Sequence, residues 1–236
     1  MTESNNIIKP KLQPQVIVPT LKQLKEKRDQ RKREKQAALI EASLRSGKYV
    51  LFLQEVPKIK TSHCRAWDCM PRRSTGNPII RSYYRFALKR ISARSSSIEY
   101  YHITCLERLL PDLPNFVGYG YLKMDGWIAA PPDSHISIKS SSEAIKDWFH
   151  HKGWSFGIDC YECFNKDHDE WTQDTSFIWI EHILSHEERV DTHCCHCQSL
   201  PGASEPQRAH YFPKEPSAML LSELLASVSG QPHIDK

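Results

Sequence analysis

The chain has 236 residues, 39% of them hydrophobic, with 15 prolines against 9 glycines, enough for one large domain or two small ones. No run of about 18 apolar residues occurs, which excludes a membrane-spanning helix. The net charge of +4 hides a polarity: residues 1–48 carry 12 Lys/Arg and 5 Asp/Glu, residues 61–110 carry 9 and 3, and residues 111–236 carry 9 and 19. A basic first half and an acidic second half place any polyanion-binding surface in the first. The N-terminus MTESNNIIKPKLQPQ lacks the apolar core of a secretory signal. An intracellular, reducing compartment is therefore expected, where eight cysteines read as metal ligands more readily than as disulfides.

In chain order, residues 1–18 read as disordered. Pro19-Thr20 opens a basic helix over 19–48, with Thr20 as N-cap and Leu21 and Leu24 as early apolar positions. From Lys25 to Gln36 the sequence KEKRDQRKREKQ holds no apolar residue. Such a stretch projects into water or lies along a partner; a solvated face, a nuclear-import segment and a nucleic-acid-contacting helix all fit it. Apolar positions return at Ala38, Leu39 and Ala42, and Gly47 ends the helix. YVLFL (49–53) reads as a short buried strand. In SYYRFAL, alternation puts Tyr84, Phe86 and Leu88 on one strand face, as a small core, and Tyr83, Arg85 and Ala87 on the other, free for a ligand.

The cysteines and histidines fall in close pairs: Cys64/Cys69, His102/Cys105, Cys160/Cys163 and Cys194/Cys197. Zinc takes four soft or borderline ligands in a tetrahedron, and a close pair in a tight turn supplies two of them. The intervening segments, 70–101 and 164–193, each have room for strands or a helix. The spacing predicts one Zn2+ site from Cys64, Cys69, His102 and Cys105, with His63 as a substitute ligand. The contrary reading makes Cys105 a core cysteine and His102 a surface histidine. A second Zn2+ site is expected from Cys160, Cys163, Cys194 and Cys197. There Cys195 is a spare thiol, and His193 and His196 are able to replace either neighbouring cysteine.

Between the first ligand pairs lie Arg65, Arg72, Arg73, Arg81, Arg85, Lys89, Arg90 and Arg94, opposed only by Asp68 and Glu99. Arginine forks match phosphate oxygens, and such backbone contacts supply most sequence-independent affinity for nucleic acid. Arg72, Arg73, Arg81, Arg85, Lys89, Arg90 and Arg94 are the expected DNA-binding residues. The order of paired cysteines, basic loop, YYRFALKR, polar loop and EYYHITCLERL resembles the zinc finger of poly(ADP-ribose) polymerases and of the related DNA ligase, over roughly residues 60–114. The first pair here is spaced by four residues where that family uses two, which enlarges the ligand turn. The resemblance implies Cys64, Cys69, His102 and Cys105 as ligands, Tyr101 as the aromatic before the ligand histidine, and Arg85 as the strand arginine that contacts DNA phosphate.

In the acidic half, HHKGWSFGIDCYECFNKDHDEW reads as a Cys-x-x-Cys turn flanked by aromatics, and TSFIWIEHILSHEERV as a helix. His182 and His186 stand four apart on that helix. The place a metalloprotease helix reserves for its general base, however, is Ile183. No deaminase signature, thioredoxin-like context or Gly-rich phosphate loop accompanies the other motifs, so no enzymatic activity is expected. After Ser199 the chain turns loose, then forms an amphipathic piece with Leu221, Leu224 and Leu225 on one side. That face either docks in a partner's groove or folds back onto its own domain.

The expected architecture is α+β: a basic helix over 19–48, a basic finger over 49–115, an acidic zinc domain over 116–198, and a flexible tail over 199–236 with a short helix. The expected function is non-catalytic binding of DNA or chromatin in the nucleus. The alternative is a zinc-stapled adaptor whose acidic half takes a basic protein partner.

Overall fold

The computed structural model describes residues 20–57, 61–69, 76, 78–91, 97–187 and 204–230. The fold is α+β. Helix α1 (Leu21–Arg45) starts at Thr20 with a reciprocal cap. Thr20 Oγ1 accepts from the Gln23 N–H at 3.3 Å, and the Gln23 side chain accepts from the Thr20 N–H at 2.8 Å. Two backbone donors that the first turn would otherwise orphan are thereby satisfied. The helix ends just before Gly47, whose φ of +68° supplies the left-handed exit.

Four strands form the main sheet in the order β3-β2-β1-β4: β1 (Tyr49–Glu55), β2 (Tyr84–Arg90), β3 (Ile98–Tyr101) and β4 (Leu122–Met124). β1 and β2 are antiparallel, pairing Leu51 with Leu88 and Leu53 with Phe86. β4 runs parallel to β1 and sets Leu122 beside Leu51. A parallel pair needs a crossover. Here it comprises β2, β3 and two short helices, α2 (Ile103–Leu109) and α3 (Leu113–Gly118).

Tyr84, Phe86 and Leu88 are buried, as alternation predicts. The opposite face departs from expectation, because Arg85 and Ala87 are buried too. Ala87 lies in register between Phe52 of β1 and Tyr100 of β3, Tyr100 covers the Arg85 guanidinium, and Lys89 covers Phe52. The side expected to be open to a ligand is thus roofed by its own long side chains.

The remaining elements are α4 (Ile138–His150), β5 (Trp154–Ser155), α5 (Ile158–Glu187), α6 (Arg208–Tyr211), β6 (Ser217–Ala218) and α7 (Leu221–Ser229). Ser137 caps α4 by accepting from the Ser140 N–H at 3.1 Å. Ala144, Ile145, Trp148 and Phe149 of α4 face the core. After α4 the chain turns at Gly153, where φ is +92° and a Cβ would stand 2.6 Å from the Pro114 ring, so only glycine fits. Trp148 Nε1 donates to the Met219 carbonyl at 2.9 Å, and β5 pairs with β6.

Two expected boundaries dissolve in this arrangement. The charge change near residue 115 is not a break in packing, since β4 completes the sheet begun by β1 and one buried cluster runs from Ile40 to Val228. The tail over 199–236 is not loose in its described part. Leu221, Leu224, Leu225 and Val228 are fully buried, and the Ser222 N–H donates to the Glu107 carboxylate of α2 at 2.9 Å. The leucine face read as able to enter a partner's groove is already occupied by its own fold. Residues 1–18 lie outside the described residues.

Candidate metal centre

The ligand turn hangs from the edge of the sheet. Cys64 bridges to Tyr100 and His63 to Ile79, while the Arg65 N–H donates to the Tyr100 carbonyl at 2.9 Å. β3 then ends at Tyr101, and His102 forms the N-cap of α2 with Cys105 one turn further on. Positions three apart on a helix share a face, so His102 and Cys105 both point back at the turn. The Cys69 Sγ lies 3.5 Å and the Cys105 Sγ 3.7 Å from His102 Nδ1. The His102 N–H also donates to Cys64 Sγ at 3.5 Å.

The donor atoms of Cys64, Cys69, His102 and Cys105 all lie within 4.8 Å of one another, and all four residues are buried. Zn–S bonds of about 2.3 Å and Zn–N bonds of about 2.0 Å in a tetrahedron imply donor separations of about 3.5–3.8 Å. The cluster is therefore compatible with one metal ion. His63 is exposed and belongs to no such cluster, and the burial of His102 and Cys105 in contact with each other removes the reading in which they are unrelated.

Without an ion, three thiols share this pocket with an imidazole. The hydrogen bond from Cys64 lowers the pKa of the Cys105 thiol, against the opposing effect of burial and with help from His102 and Arg108. The same hydrogen bond, together with burial, pushes the Cys64 thiol up. Arg108 donates to Cys105 Sγ at 3.4 Å; it sits three residues beyond Cys105, a spacing visible in the sequence though not singled out there. A bound cation deprotonates such thiols outright, and Arg108 adds a charge-assisted contact to the resulting thiolate.

The same turn also holds α1. Gln36 donates to the Arg65 carbonyl at 2.9 Å and accepts from the Trp67 N–H at 2.8 Å. Arg33 reaches the buried Asp68 carboxylate at 3.4 Å, Lys32 lies 3.9 Å over the Trp67 ring, and Ile40 and Leu44 enter the core. The stretch that reads as polar all round is thus docked along one face. The four-residue step Gln36–Ile40–Leu44 is the signal that marks it, hidden because its first member is an amide rather than an apolar side chain.

The predicted DNA-contacting residues divide. Arg81 and Arg90 are exposed, while Lys89 is paired with Asp125 at 2.7 Å, and that pairing holds the Asp125 carboxyl below its usual range. Arg85 is only 6% exposed, with its guanidinium 3.9 Å from the Tyr100 ring centroid and its Nε without a hydrogen-bond partner. Arg72, Arg73 and Arg94 lie outside the described residues.

Only half of the second expected site falls within the described residues. Cys160 and Cys163 stand in the first turns of α5, not in a tight loop, and among the described residues no third ligand gathers with them. Cys194 and Cys197 lie outside the described residues.

No helix among the described residues is long and apolar enough to cross a membrane. Comparison with known proteins finds no matching family model, no matching curated protein and no matching solved structure.

Proposed function

We propose that the protein is a non-catalytic, zinc-stapled nuclear protein that binds DNA or chromatin through the phosphate backbone. Three thiolates and one imidazole, soft to borderline donors in a closed shell of four, suit a structural Zn2+ that leaves no position open for substrate. The observation that carries the nucleic-acid reading is Arg85. A cation this buried normally finds a carboxylate, yet among the described residues the Arg85 Nε has no hydrogen-bond partner and the guanidinium stacks on the Tyr100 ring. Burial lowers its affinity for the proton, and no carboxylate among the described residues pairs with it at this site. A phosphate oxygen would complete it, and the stacked guanidinium loses little entropy on meeting one. The resemblance to the poly(ADP-ribose) polymerase finger assigns the same residue the same contact.

The test is binding of the full chain to a short DNA duplex between about 50 and 200 mM salt, where backbone binders lose affinity steeply. Arg85→Ala should weaken binding by about 1–3 kcal/mol, more than Arg81→Ala does, with zinc content unchanged. Arg85→Lys should recover only part of the loss, because it keeps the charge without the planar fork. Equal losses at Arg81 and Arg85 would remove Arg85 from the contact.

One observation favours the adaptor reading as a second. Phe177, Ile180, Ile183 and Leu184 are at least half exposed along the far half of α5, and contiguous apolar surface of this kind marks protein-binding sites. The acidic flanks Asp174 and Glu181 would select a basic partner.

A further inference from the structure

We infer that the outward arc of α1 is a second phosphodiester-binding surface, and the larger one; the inference rests on the nucleic-acid reading above. At about 100° per residue, Lys27, Arg28, Arg31 and Lys35 fall within roughly 100° of the helix circumference, with Lys32 at its edge over the Trp67 ring. All four are exposed. The acidic residues of the helix, Glu26, Asp29, Glu34 and Glu41, all project outside that arc, the nearest contact to it being Arg28 with Asp29 at 3.9 Å. Arg33, Gln36, Ile40 and Leu44, which dock the helix on the ligand turn and the core, centre on the opposite side. The helix is charged all round in composition but segregated in space, and its docking fixes which face points outward.

Neighbouring surfaces give the same direction. In the finger, Lys89 is neutralised by Asp125, so beyond Arg85 this face of the sheet offers few free cations among the described residues. Lys27 to Lys35 span about 12 Å of helix, against one phosphate per about 3.4 Å of duplex axis on each strand, so the arc faces roughly three or four phosphates. A lipid surface is the competing occupant, since Leu21, Leu24 and Leu39 of α1 are exposed and an interfacial helix needs an apolar face to insert. Tighter binding of the wild type to anionic vesicles than to duplex would overturn the assignment to DNA. Because α1 is held by the turn between Cys64 and Cys69, the metal centre also orients this second surface.

The experiment compares three full-length proteins on one DNA duplex: wild type, the arc variant Lys27→Gln/Arg31→Gln/Lys35→Gln, and a control of equal charge loss, Lys123→Gln/Lys166→Gln/Lys214→Gln, at exposed sites elsewhere. The arc variant should lose at least about tenfold in affinity, and its salt slope should fall by roughly 2–3, close to 0.9 for each phosphate contact removed. The control should lose little, and all three should keep the same zinc content. Equal losses from arc and control variants would overturn the inference and leave the Arg85 reading standing. Failure of the wild type to bind duplex at low salt would remove both. Equal affinity for poly-glutamate of matched charge would show a general polyanion surface and overturn the assignment to phosphodiester.

Discussion

Two close cysteine pairs stand in different surroundings. Cys64 and Cys69 sit in a turn tied to the edge of a sheet, and the chain returns through β2 and β3 to set His102 and Cys105 beside them. Cys160 and Cys163 sit on a 30-residue helix that carries the chain steadily away from them. A close pair supplies half a site anywhere. After Cys69 the intervening segment is a hairpin, which comes back; after Cys163 it is a helix, which does not return within the described residues.

The largest effect should come from breaking the first pair's closing half. Structural zinc contributes about 10–16 kcal/mol of apparent binding energy, as much as a whole domain's stability. Cys105→Ala should therefore abolish metal binding and the cooperative thermal transition of the single core, as read by calorimetry. Next in size is Leu224→Ala, in the tail helix. Its side chain is fully buried with Leu106 and Trp148 in one cluster, so the expected loss is about 2–5 kcal/mol, in the same transition that metal removal affects. Two separate transitions, only one of them sensitive to Leu224→Ala, would restore a boundary near residue 115.

How much of this is legible in the sequence follows from which interactions are local. The Thr20 cap, the YVLFL strand and the helix opened by His102 are written in neighbouring residues, and each is present. The four ligands of the metal centre are legible because few residue types bind metal and their spacing survives the fold. The single core is not, since the pairing of Leu122 with Leu51 spans the entire finger. The docking of α1 is hidden for another reason. It depends on Gln36, Arg33 and Asp68, polar residues that look solvated until the turn they grip is in place.

That docking gives a smaller prediction. Gln36→Ala removes two hydrogen bonds, each contributing about 0.5–1.5 kcal/mol. It should speed trypsin cleavage within α1 while leaving the metal bound; unchanged cleavage would mean the core contacts of Ile40 and Leu44 suffice. Glu107 offers a pH-dependent test of the link between finger and tail. Burial raises its carboxyl above the usual range, against the lowering effect of the hydrogen bond from Ser222. A carboxyl raised in the folded state adds stability below its unfolded pKa of about 4.3, and that contribution is lost as pH rises through the folded value. Glu107→Gln keeps a neutral acceptor for Ser222, so the variant should match or exceed wild-type stability at about pH 7 and show a flatter decline from about pH 4. A marked loss at pH 7 would mean that the charge itself is needed at the start of α7. The smallest effect is expected at the second pair, where Cys160→Ser/Cys163→Ser should stay within about 0.5 kcal/mol of wild type.

The central claim, a closed Cys3His metal centre at Cys64, Cys69, His102 and Cys105, is tested most directly by counting metal on purified full-length protein with elemental analysis and native mass spectrometry. A zinc bound at this centre should be kept in Cys160→Ser/Cys163→Ser and lost from Cys105→Ala. Undiminished zinc in Cys105→Ala would contradict it.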